Sequence, residues 1–173
     1  MAVGAVIIPE TPGIPETKKF RPFVPERFLA RVEGMLEGLE GLPVVAQLRL
    51  RNIKRVSVVY SLRRGQARLY PAGNSTCFEI VLSAEGEDLW PLLIGHELAH
   101  TFFPFPGADG RLTAGGTLLP DREQEALCDS FAFCWASRGT NAQEVMELLA
   151  PLKSKRQDTS AREYQLEMPL WGF

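Results

Sequence analysis

Apolar residues along this chain recur every three or four positions in some stretches, and β-branched and aromatic residues crowd together in others. From Pro25 onward, Phe28, Leu29, Val32, Met35, Leu36 and Leu39 fall on one stripe of a 3.6-residue helix. Gly34, Gly38 and Gly41 weaken that helix, and Pro43 follows its end. Val44 to Leu50 allow a second, short helix. Val56 to Leu62 is rich in β-branched and aromatic side chains and predicts a strand. Arg63 to Gln66 reads as a turn and Ala67 to Tyr70 as a second strand, paired with the first in a hairpin. After a Pro-Ala-Gly-Asn-Ser loop at 71–75, Cys77 to Ser83 predicts a third strand.

The second half is helical. Asp88 to Phe103 carries Leu89, Trp90, Leu92, Leu93, Ile94 and Leu98. Glu87 and Asp88 place anions at the positive helix start, Pro91 is tolerated in a first turn, and Pro104 and Pro106 end the helix. A turn-rich loop runs to Pro120. Asp121 with Gln124 three residues later has capping-box spacing, and Asn141 with Glu144 repeats it, which predicts two further helices, the second reaching Leu149.

The flanks differ. Pro9, Pro12, Pro15 and Pro22 make residues 1–24 an extended arm, ordered in part through Val6, Ile7 and Ile8. Residues 25–153 form one domain, and 154–173 a tail that docks through Leu166, Met168, Leu170, Trp171 and Phe173, or not at all. The apolar run Ala2 to Ile8 lacks a positive flank and is cut short by proline, so it does not read as a secretory signal, and no stretch approaches the ~18 apolar residues of a membrane span. Three cysteines, an odd number, argue against a disulfide framework and for a reducing, cytoplasmic setting.

A net charge of −2 argues against holding nucleic acid by bulk positive charge. The charge is uneven, however: residues 41–78 hold seven basic side chains (Arg49, Arg51, Lys54, Arg55, Arg63, Arg64, Arg68) and no acid. A solvated strand-and-turn surface explains this; a docking face for an acidic partner or a nucleic-acid backbone is the sharper alternative.

Both histidines of the chain stand in one string, His96-Glu97-Leu98-Ala99-His100. Four residues apart on a helix is one turn along one face, so both imidazoles reach one metal ion at about 2.0–2.1 Å. Glu97, rotated roughly 100° from His96, approaches the attacking water instead and can take its proton. A catalytic zinc has three protein ligands and an open position. With no third histidine, that ligand is a carboxylate or a thiolate. A histidine six residues after the second ligand would mark a metzincin, but that position is Pro106. The downstream acids are Asp109, Asp121, Glu123, Glu125 and Asp129. Glu125 is the best choice, on a helix that can pack beside the first. Asp129, one turn on, suits a hydrogen bond from a ligand histidine's free N–H. Asp121 serves better as a cap, Asp109 as a turn residue, and Cys77, Cys128 and Cys134 as small core hydrophobes.

A strand, a loop, an HExxH helix and then Glu125-Ala126-Leu127-Cys128-Asp129-Ser130-Phe131-Ala132 resemble the ImmA/IrrE metallopeptidases, whose second signature has the form E-x-x-A-N-x-F-A. The resemblance covers residues ~55–150, with GHELAH in place of the usual AHELGH and Asp129 in place of Asn. It implies an α+β fold: a small zincin-like domain with a short mixed sheet packed against the active-site helices. It implies one Zn2+ on His96, His100 and Glu125, with Glu97 as general acid and base. The implied activity is a metallo-endopeptidase that cuts a helix-turn-helix (XRE-type) transcriptional repressor at one site. Tyr60, Tyr70, Arg68 and Arg111 are unranked candidates for stabilising the oxyanion. The competing reading is a silent module of the same fold that binds a regulator or DNA through residues 41–78.

Overall fold

The computed structural model describes residues 5–7, 23–72, 77–104, 121–156 and 164–167. The helical stripe after Pro25 becomes α1 (Glu26–Glu37), which buries Phe28, Val32, Met35 and Leu36. Pro43 then opens α2 (Val44–Leu50). A two-stranded antiparallel ribbon precedes both: β1 (Ala5–Ile7) pairs with β2 (Phe23–Pro25).

Among the described residues the main sheet has four strands: β3 (Ile53–Val59), β4 (Ala67–Pro71), β5 (Phe78–Ser83) and β6 (Tyr164–Glu167), in the order β4-β5-β3-β6. The expected hairpin between the first two of these is therefore wrong. β5 lies between them, parallel to β3 (Val56 opposite Ile80, Val58 opposite Leu82) and antiparallel to β4. Burial explains the order. β5 buries Phe78, Ile80 and Leu82 and gains from neighbours on both sides. β4 exposes Arg68 and Tyr70, which suits an edge. The seven residues 60–66 easily span the roughly 10 Å needed to skip one strand. The tail supplies β6, which pairs antiparallel with β3 through Leu166 opposite Val56. The fold is α+β.

Against the sheet lies α3 (Trp90–His100), entered through a 3-10 turn at Glu87–Leu89 after Gly86, whose φ of 86° suits glycine. Every α3 residue from Trp90 to Ala99 is buried. Each large apolar side chain so placed contributes roughly 1.5–3 kcal/mol, which helps offset the cost of burying two polar groups in the same helix. α3 is tethered at both ends. Trp90 Nε1–H donates to Ser83 O at the end of β5 (2.9 Å). Arg51 donates to the Thr101 hydroxyl (3.0 Å) and carbonyl at the helix C-terminus, and its guanidinium stacks over Phe102.

α4 (Asp121–Ser137) packs along α3, and α5 (Thr140–Arg156) follows, running past Leu149 and across Pro151. The close approach of α3 to α4 depends on Gly95. A Cβ there would lie 3.0 Å from the Trp135 ring and 3.1 Å from Ala132 Cα. No helix among the described residues is long and apolar enough to cross a membrane.

Candidate metal centre

The tethers on α3 and the glycine contact with α4 bring His96, His100 and Glu125 into one group that could hold a metal ion. His96 Nε2 and His100 Nε2 lie 3.1 Å apart. Glu125 presents Oε2 to the first at 3.3 Å and Oε1 to the second at 3.2 Å. Four tetrahedral ligands about 2.05 Å from a zinc ion stand roughly 3.3 Å from each other. The spacing of the three donors therefore fits such an ion. So does their chemistry, two imidazole nitrogens and one carboxylate, which also admits other divalent ions.

Burial is graded across the group. His96 is 3% exposed and His100 15%, while Glu125 is 56% exposed and closes the group on its solvent side. With a proton rather than a metal ion at each Nε2, hydrogen bonds from His100 and then His96 hold the Glu125 carboxyl well below the usual carboxylate range, against the opposing effect of burial. Glu97 follows His96 on α3 and is itself buried, at 5% exposure.

The rings are oriented by α4. His96 Nδ1 lies 2.8 Å from Asp129 Oδ1, as an Nδ1–H donor would, which leaves Nε2 with a lone pair. The partners of His100 Nδ1 were not foreseen. The Gln124 side-chain amide nitrogen, Nε2, lies 3.1 Å from it and Cys128 Sγ 3.6 Å. With the amide oxygen turned to the ring, an orientation equivalent in shape, Nδ1–H donates there and Nε2 is again free to bind a cation. The residues 124, 125, 128 and 129 thus form one face of α4 directed at the two histidines. Their i, i+1, i+4, i+5 spacing was visible in the sequence, but Gln124 suited a capping box equally well.

Cys128 is fully buried, as expected of a core cysteine. Burial, with Glu33 nearby, pushes the Cys134 thiol up to about 11, so it too is a neutral packing group. Among the oxyanion candidates, Tyr60 packs against the core, and Arg68 on edge strand β4 donates to the exposed Tyr70 hydroxyl (3.4 Å). Asp109 and Arg111 lie outside the described residues.

The basic stretch 41–78 is partly neutralised by long-range partners. Arg55 makes a paired contact with Glu79 (2.6 Å), which Ser57 also bonds, and Arg64 meets Asp88 (3.3 Å). Arg51 is committed to the end of α3. The chain matches no protein-family model, no curated protein and no solved structure.

Proposed function

We propose that this protein is a zinc-dependent endopeptidase with a zincin-like fold, acting on a helix-turn-helix (XRE-type) repressor at a specific site. One observation carries the reading: two imidazole nitrogens and a carboxylate converge at 3.1–3.3 Å beside a buried glutamate that follows the first histidine on the same helix. A zinc ion held there supplies Lewis-acid polarisation of the scissile carbonyl and a water acidified to a pKa of about 7. Glu97 takes the proton of the attacking water and returns it to the departing amine. Asp129 holds the His96 ring by Nδ1, and Gln124 and Cys128 hold that of His100, so neither ring must reorient as charge develops. Glu125, the most exposed of the three, lies on the solvent side of the group, the side from which an extended peptide would enter.

The test is incubation of the purified protein with such a repressor, wild type beside Glu97→Gln. Cleavage at one bond, stopped by chelation and slowed about 10²–10⁴-fold in the variant, is the expected result. An undiminished rate in Glu97→Gln removes that residue's role, and cleavage that survives chelation removes the metal.

A further inference from the structure

At the other end of α4, ten residues and roughly 15 Å from Glu125, a cavity of about 450 Å³ opens between α1, the loop into α2, α2 itself and the junction of α4 with α5. That volume lies within the roughly 300–1,000 Å³ of small-molecule sites.

The cavity wall is built around Gln47, which is buried at 3% exposure. Its Oε1 accepts from Trp135 Nε1–H (2.8 Å), and its Nε2 donates to Leu42 O (2.7 Å) and Asn141 Oδ1 (3.1 Å). These bonds tie the α1–α2 loop, α4 and the start of α5 into a frame that does not need a ligand to hold it open. Leu36, Leu39 and Pro43 give the cavity an apolar side.

The charges decide what fits. Glu40, Glu144 and Arg138 line the cavity, and Arg138 is already shared between Glu40 (3.4 Å) and Glu33 (3.5 Å). Glu144 Oε2 accepts the Val44 N–H at the start of α2 (2.6 Å), and among the described residues its other oxygen receives no hydrogen bond. An anion would meet two carboxylates. A neutral apolar molecule would desolvate the Glu144 oxygen without bonding it.

We propose that this cavity binds a small organic cation, an amine with an apolar body, whose ammonium bonds Glu144 while its body lies on the leucine side. The proposal is independent of the peptidase reading.

The test is an NMR titration of the full chain, stripped of metal with EDTA so that an amine has no metal to bind. The probes are phenethylamine, 2-phenylethanol and phenylacetate in the millimolar range. Phenethylamine should saturate one site, with shifts at Trp135 Nε1–H and Gln47, and the other two should bind about tenfold or more weakly. Glu144→Gln keeps an acceptor for Val44 N–H and should weaken phenethylamine by about the same factor. Thr140→Trp, at an exposed cavity-lining position, should block it and guards against misfolding of the first variant. Glu125→Gln should leave binding unchanged. Failure of phenethylamine to saturate, equal binding of the alcohol, insensitivity to both cavity variants, or loss in Glu125→Gln would each overturn the proposal.

Discussion

The two ends of α4 both bury polar side chains, and they do opposite things with them. Around Trp135, donors and acceptors match: indole to Gln47, Gln47 to Leu42 and Asn141, Asn141 Nδ2 back to Trp135 O. Around Glu125, lone pairs converge: two Nε2 atoms and a carboxylate face one another at 3.1–3.3 Å while the outer ring nitrogens are held from behind. A polar network that closes on itself is architecture, because every desolvated group is repaid by a protein partner. A network whose acceptors converge can be completed by protons on the rings or by a metal ion in their place. The same helix carries both, with Gly95 letting α3 approach between them.

Breaking the convergent end should be felt in metal binding and not in folding. Glu125→Ala removes one of three donors and should lower zinc affinity by more than about 100-fold, beyond the 10–100-fold range of outer partners. Elemental analysis of protein purified without added metal reads this directly, since about one zinc per chain should be lost in the variant. Zinc retained in Glu125→Ala would move the third ligand to another acid. Asp129→Ala should fall within that 10–100-fold range, since it frees the His96 ring without deleting a ligand. A competition titration against a chromophoric chelator separates the two variants.

The closed end should respond in reverse. Gln47→Leu strands the Trp135 N–H, the Leu42 carbonyl and the Asn141 side chain, and should cost about 3 kcal/mol of stability in urea unfolding. Its metal content should stay at the wild-type level. Metal loss in Gln47→Leu would show that the two ends are not separable.

The smallest effect is a pH dependence. The folded-state pKa of Glu125 lies below its unfolded value. The stabilisation from its histidine bonds is therefore present above about pH 4.3, the ordinary glutamate value, and is lost as pH falls below it. Metal-free wild type should lose Tm through that acid range, and metal-free Glu125→Gln should lack this component. Equal slopes in the two proteins would remove Glu125 as the source.

Much of this arrangement was legible before any coordinates. The α1 stripe, the strands at 56–59 and 78–83, and the HExxH helix all rest on periodicity, which a linear chain displays. Glu125 and Asp129 could be paired because four residues is one helical turn. The capping readings failed for a common reason. Asn141 and Glu144 have capping-box spacing, yet Asn141 joins Gln47, and Glu144 reaches back to the N–H of Val44. Gln124 likewise faces His100. A capping residue and a long-range partner are the same amino acid, and nothing local tells them apart.

By itself, then, the sequence determined which segments coil, where two imidazoles share a helix face, and which acids could join them, because these depend on spacing along a few turns of backbone. The tertiary structure alone decided that β5 inserts between β3 and β4, that the tail adds β6, and that one face of α4 meets both histidines. Those outcomes follow from which apolar faces bury against each other and from the approach that Gly95 permits, and such pairings join residues far apart in the chain.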